Sequence, residues 1–345
     1  MQIKNIKYVQ NRKAQGKLKQ LYKHIELNFG KVAEPFVLHS LNEKLAAGVW
    51  AMLYETVLAE GKVKRSLKEA IATCVSEINI CSYCVDAHSI MIFGTEKTLQ
   101  DNISNIKNEK TEAKSKEDKI ILWAMNNLNF EHPIILNPPF SKEEAPEIIG
   151  TAALFHYINR MVTLFAGDTP LPTNKMRNFV FNIASKFIFG KAIRKEKKAG
   201  ASLIFIDETI IHDGFEWASG NSEIQKAFQY FNYQAELNID QILSPELIAL
   251  LKSFSTKPEL LQQTFGNENL ENFLAKVEPS EREIAEFCFL TMFEPHKVYE
   301  KLYQNLKQKF KDEEILQIAA FVSMLIAEKI GNKLFKEVRI DFARN

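Results

Sequence analysis

The stretch Glu77–Gly94, EINICSYCVDAHSIMIFG, holds Cys81, Cys84 and His88 in a C-x2-C-x3-H pattern. On a helix, residues three and four apart share a face, so all three side chains can point the same way. The preceding apolar run ends at SEINI, and Cys81 is expected to open a new helix. A thiol placed there feels the partial positive charge of the helix N-terminus, which favours the thiolate, and a neighbouring imidazole can take its proton. The backbone at a helix start can also bring two sulfurs at this spacing into a disulfide. Two other uses of the same residues stand beside this redox reading. A structural zinc site needs four ligands, and only one C-x2-C pair is present. Service as plain core residues suits Cys74 and Cys288, each inside an apolar run. It suits Cys81 and Cys84 less, because their neighbours Ser82, Asp86 and His88 are polar.

Outward from this stretch the pattern is helical nearly everywhere. Leu18, Leu21, Tyr22 and Ile25 recur at helical spacing and Gly30 closes that segment. A long amphipathic run from Phe36 to Glu60 carries Trp50, Leu53, Tyr54, Val57 and Leu58. The signals SLKE at Ser66–Glu69, SKEE at Ser141–Glu144 and PSERE at Pro279–Glu283 each read as a capping box before an apolar run. No alternating strand pattern and no Asn-Gly hairpin signal is found. The fold class is all-α. Linkers are expected around Pro133, Pro138 and Pro139, and around Pro170 and Pro172, with one apolar helix from about Glu143 to Phe165 between them. The charged stretch KNEKTEAKSKED reads as a solvated loop.

The 345 residues suffice for one large or two ordinary domains. A net charge of +1 with 25% charged residues gives no global field for nucleic acid or an anionic membrane surface. With 46% hydrophobic residues and 25 Phe, the chain can bury a substantial core. The N-terminal segment MQIKNIKYVQNRKAQGK is polar, and no apolar run reaches the roughly 18–20 residues of a membrane helix. A soluble cytoplasmic protein is expected. In a reducing compartment a close cysteine pair is catalytic or metal-binding more often than structural.

The chain also echoes itself. Ser66-Leu-Lys-Glu69, followed by Cys74, matches Ser280-Glu-Arg-Glu283, followed by Cys288. Downstream, EDKIILWAMNNL has a counterpart in DEEILQIAAFVSML. Pro295 and Val298 stand in the second copy where the first has Cys81 and Cys84. A duplication with the cysteine pair kept in one half explains both matches in order. Two unrelated capped helices would explain only the first.

The order Glu69-x11-Cys81-x2-Cys84-x3-His88 resembles the signature of the alkylhydroperoxidase AhpD family, within the carboxymuconolactone decarboxylase-like superfamily. The resemblance is best over about residues 35–130. It implies an AhpD-like domain with the redox motif at 1–140, a linker and long apolar helix at 141–200, and a degenerate AhpD-like helical domain at 201–345. It implies thiol-dependent reduction of hydroperoxides, with Cys84 as peroxidatic and Cys81 as resolving cysteine. His88 and Glu69 are implied as the proton relay. An external dithiol, possibly a lipoyl group on a partner protein, is implied as reductant, with no bound cofactor or metal and with association into a homo-oligomer. Tyr83 stands where the prototype has a second histidine, and tyrosine is a poor base near neutral pH. Glu69 has a competing use as the last residue of the Ser66 capping box. The alternatives are the superfamily's lactone decarboxylation, which needs no cysteine pair, and a non-catalytic redox sensor.

His156, Asn159 and Arg160 are polar residues in the apolar helix and are expected to make interhelical hydrogen bonds, or to form a polar cluster at a substrate site or interface. His24, His39, His132, His212 and His296 show no partner pattern and are expected at the surface or in caps.

Overall fold

The computed structural model describes residues 3–110, 112–169, 196–207, 214–257, 260–261 and 267–342. It is all-α. The helices of the first part are α1 (Gly16–Phe29), α2 (Glu34–Val37), α3 (Glu43–Leu53), α4 (Arg65–Ile78), α5 (Ser82–Thr95), α6 (Lys97–Lys107), α7 (Lys116–Met125), α8 (Pro133–Leu136) and α9 (Ala145–Phe165). Those that follow are α10 (Ser222–Glu236), α11 (Pro245–Ser255), α12 (Asn267–Leu274), α13 (Arg282–Phe293), α14 (Glu300–Lys309) and α15 (Asp312–Phe342). Among the described residues the only bridge of strand type joins Ile3 to Ala166. The expected linker around Pro170 and Pro172, and His212, lie outside the described residues.

Leu18, Leu21, Tyr22, Ile25 and Phe29 form the buried face of α1. Gly30 ends that helix in the left-handed region, at φ 99°, where a residue without Cβ is unstrained. The next amphipathic run is broken into α2, α3 and a π-type turn over Tyr54–Leu58. Gly48 lets α3 approach α10 closely, since a Cβ there would meet Phe231 at 2.9 Å. Of the three expected capping boxes, none forms in full. A reciprocal box appears instead at Ser115 and Asp118, which start α7 after the charged loop.

The centre of the molecule is α9. Every residue in it except Thr163 is buried, with α4 packed on it from the first half and α15 from the second. Read linearly, its polar residues interrupt the apolar run, so no membrane-length segment stands out. As one helix of 21 residues it is long and apolar enough to cross a membrane, but 94% of its apolar window is enclosed by this same chain. It is a core helix.

Two further polar features lie in the core. Lys68 on α4 and Glu147 on α9 form a buried ion pair of 3.0 Å. Lys68 also donates to the Ala59 carbonyl, and Glu147 accepts the backbone N–H of Lys62 at 2.7 Å. The pair clamps the loop before α4 onto α9. His39, expected at the surface or in a cap, is 1% exposed and lies in the core. It meets the Pro35 carbonyl at 2.7 Å and the Tyr157 hydroxyl at 2.6 Å. Burial lowers its pKa to about 4. His24 is also drawn inward, accepting from the Trp50 indole at 3.0 Å. His132 caps α8 and His296 is exposed, as expected.

Candidate active site

Helix α4 ends at Asn79 and the chain turns sharply before α5. Ile80 takes the left-handed conformation, at φ 56°, and the Cys81 N–H returns to the Ser76 carbonyl at 2.9 Å. Glycine is the usual residue at such a helix exit. A β-branched residue there is strained, and nothing in the sequence announces it. The turn makes Cys81 the N-cap of α5 and puts Cys84 in the first turn, with His88 one turn further on.

The expected capping box at Ser66 does not form. Helix α4 starts at Arg65, two residues too early for Ser66 to be the cap, and the Ser66 hydroxyl donates to Glu96 at 2.8 Å instead. Glu69 is thereby released from the helix end. It is fully buried, accepts from His88 Nδ1 at 2.6 Å and pairs with Arg65 at 3.3 Å. Burial pushes the Glu69 carboxyl up, but the His88 hydrogen bond and the charges of His88 and Arg65 outweigh it and hold it below the usual range. The ring stands edge-on to Phe155, with centroids 4.5 Å apart.

Both cysteines are free thiols and both are buried. The two thiols lie side by side at the start of α5 and share hydrogen bonding. Hydrogen bonding with Cys84, against burial, holds Cys81 below the ordinary thiol range. Burial and the neighbouring Cys81 push Cys84 well above it. Among the described residues no group of three His, Cys, Asp or Glu side chains converges as a metal site requires.

Helix α9 supplies the floor. Asn159 donates to Ser76 at 3.0 Å and accepts from Asn79 at 2.9 Å. His156 meets Asn79 at 3.1 Å and Asn127 at 2.7 Å. Burial and the Arg160 charge lower its pKa far below the usual imidazole value, so it is neutral and serves as a spacer. Arg160 donates to the Met292 carbonyl at 2.9 Å, tying the floor to the second half. The interhelical bonding expected of these residues is present. Thr163, one turn beyond Asn159, had no sequence signal of its own.

Tyr83 fills the place of the missing histidine. Its hydroxyl donates to Glu34 of α2 at 2.6 Å, and both side chains are buried. Burial and then the Glu34 charge push the phenol well above its ordinary value. It is a fixed donor and no base. Glu34 lies far off in sequence and no spacing pointed to it.

The all-helical architecture is consistent with an AhpD-like fold, and the chain has the length of a double member. It is similar to the mycobacterial protein alkyl hydroperoxide reductase Rv2159c, of Mycobacterium tuberculosis (strain ATCC 25618 / H37Rv). The two are 27% identical over 334 residues, 95% of this chain and 94% of that one. No family model matches the chain.

Proposed function

We propose that the protein reduces hydroperoxides through the Cys81–Cys84 pair, with His88 and Glu69 moving protons. The observation that carries this is the buried Glu69–His88 hydrogen bond of 2.6 Å one helical turn from two free thiols. A buried carboxylate fixes the imidazole tautomer and supports the imidazolium formed when it takes a proton. The name of the mycobacterial relative, an alkyl hydroperoxide reductase, supports the substrate class.

The reaction divides into three steps. A thiolate of the pair attacks the O–O bond and takes up one oxygen as a sulfenic acid, releasing an alcohol. The second thiol condenses with the sulfenic acid, losing water and forming the Cys81–Cys84 disulfide. An external dithiol reduces that disulfide by exchange and leaves oxidised. A lipoyl group on a partner protein is the donor the resemblance suggests. The second half is read as a degenerate copy. In support, α13 packs with α14 and α15 as α4 packs with α6 and α7.

The test is stopped-flow mixing of the reduced protein with hydrogen peroxide and an alkyl hydroperoxide, with a dithiol supplied in excess. Repeated turnover that is lost in Cys81→Ser and Cys84→Ser and kept in Cys288→Ala is expected. A single stoichiometric oxidation without turnover would make the protein a redox sensor. Turnover surviving both cysteine substitutions would end the thiol reading.

A further inference from the structure

We infer that His296, contributed by the second half of the chain, is the base that receives the external dithiol at Cys81 when the disulfide of the pair is reduced. This deepens the redox reading above and rests on it for the disulfide, which can be formed without peroxide.

A cavity opens beside the start of α5. Cys81, Ser82 and Tyr83 line it on one side, with Thr163 of α9. Pro295, His296 and Val298 line it from the short turn after α13. Cys84 is not among its lining residues, so an oxidised pair presents the Cys81 sulfur to whatever enters. Pro295 and Val298 are also the residues that stand in the second copy where the first has Cys81 and Cys84. The turn that carries no thiols thus shares a cavity with the one that does, and it brings an imidazole to the open side of the sulfur.

The other groups around the cavity are committed or are the wrong kind of base. His88 is turned to Glu69 in the core and does not line the cavity. The Tyr83 hydroxyl donates to Glu34, and the Ser82 hydroxyl to the Asp168 carbonyl at 2.7 Å. Lys4 and Asp168 supply the remaining charges of the lining. An ammonium has no lone pair, and a carboxylate is too weak a base to take a thiol's proton near neutrality. Within the turn, Glu294 and Lys297 pair with each other at 2.6 Å. His296 is exposed, and among the described residues none hydrogen-bonds or pairs with its ring. Pro295 is buried, and its carbonyl accepts the Val298 N–H at 3.3 Å. The turn is closed while the ring it carries stays free.

The reduction then runs as an exchange in two displacements. His296 takes the proton from one S–H of the donor, and the thiolate so formed attacks the Cys81 sulfur. The electron pair of the Cys81–Cys84 bond passes to Cys84, which takes a proton from His88. The second thiol of the donor gives its proton to water and displaces Cys81 from the mixed disulfide. Cys81 leaves with the proton that His296 held, and His88 is recharged from water. The donor departs as a disulfide, having given two electrons, and both cysteines are thiols again.

The test isolates this half of the cycle. The disulfide is formed in the full chain with diamide, and its reduction by dithiothreitol is followed by rapid quenching, alkylation and mass spectrometry. A free thiol is only a few per cent ionised near neutral pH, so a base that ionises it in place contributes at most about thirtyfold there. His296→Ala is expected to slow reduction near neutrality about tenfold. The loss should vanish in alkali, where the donor ionises unaided, and added imidazole should restore part of the neutral rate. Lys297→Ala, beside it but outside the cavity lining, should be reduced at the wild-type rate. If His296→Ala is reduced as fast as wild type, or is slowed equally at neutral and alkaline pH without rescue by imidazole, the inference is overturned while the peroxide chemistry stands. If diamide does not join Cys81 to Cys84, the redox reading falls and this role for His296 falls with it.

Discussion

The segments Ser66–Cys74 and Ser280–Cys288 share serine, glutamate and cysteine at one spacing, and the structure gives their glutamates opposite surroundings. Glu69 is sealed in the core on His88 and Arg65. Glu283 lies at the surface, held by Asn305 at 2.7 Å and Lys309 at 2.8 Å. The residues just before them differ likewise. Lys68 is buried against Glu147, whereas Arg282 is exposed. Only the cysteines, Cys74 and Cys288, share a fate, both lying in the core. The difference arises downstream. After α4 the chain builds the 14-residue helix α5, which covers Glu69 and brings His88 to it. After α13 it makes a three-residue turn starting at Pro295. The next helix there, α14, meets the glutamate with Asn305 and Lys309 at the surface and brings no histidine to it. The helix laid over α4 is thus what buries its carboxylate and gives it an imidazole partner.

The clamp around Lys68 has no equivalent at Arg282, and the largest stability loss is expected there. Glu147→Gln leaves the Lys68 ammonium buried without its counter-charge. Breaking one side of such a pair costs about 3–5 kcal/mol. Chemical denaturation should show that loss, and Arg282→Gln should show almost none. Equal losses at the two sites would mean that the halves are braced alike.

Glu69→Gln addresses the relay itself. It keeps an acceptor for His88 but removes the charge that supports a protonated imidazole. Turnover with a hydroperoxide should fall about a hundredfold, the lower range for general acid–base groups. The fall should be steepest where condensation of the pair limits the rate. The Glu69 carboxyl is held below its usual range in the folded protein. Its stabilising contribution is therefore fully present above the unfolded carboxylate value of about 4.3, and is lost as pH falls through the lower folded value. The stability gap between wild type and Glu69→Gln should be constant near neutrality and close in acid. A gap that persists unchanged into acid would show that packing, and not charge, is what the substitution removes.

The all-α class was legible because helical periodicity survives in nearly every segment, and the cysteine–histidine stretch was legible because its three residues sit on one helix. What was hidden came from elsewhere in the chain. Ser66 and Glu69 fit a capping box by spacing, yet α4 begins one residue before Ser66 and the box never forms. A start shifted by two residues decides whether Glu69 faces the helix end or the core. Glu34 behind Tyr83 and Thr163 beneath Cys81 are tertiary neighbours with no local pattern. His39 looked like a surface residue because the hydroxyl that satisfies it, that of Tyr157, is far away in sequence.

The exit of α4 gives a smaller and opposite effect. Ile80 is 67% exposed and sits in the left-handed region, so its side chain contributes little packing to offset its backbone strain. Ile80→Gly should stabilise the protein by about 1 kcal/mol, the scale of the left-handed penalty for residues with Cβ. Differential scanning calorimetry would read it as a higher melting temperature. A destabilisation would mean that the isoleucine is needed to hold the turn that presents Cys81.

The smallest effect is expected at Glu283, and it is the sharpest test of the comparison. Its partners are a lysine and an asparagine at the surface, where solvent screens the attraction and long side chains lose freedom in making it. Glu283→Gln should shift stability by no more than about half a kcal/mol, and added salt should erase most of that shift. Peroxide turnover should not change, because no thiol or imidazole depends on this carboxylate. Paired with Glu69→Gln, the substitution asks whether a shared sequence position carries a shared role. If Glu283→Gln lowered turnover as Glu69→Gln does, the second half would be acting on the chemistry through α13 and not only through the turn at Pro295. If both glutamates proved neutral, Glu69 would be a buried structural residue, and His88 would have to work without a carboxylate behind it.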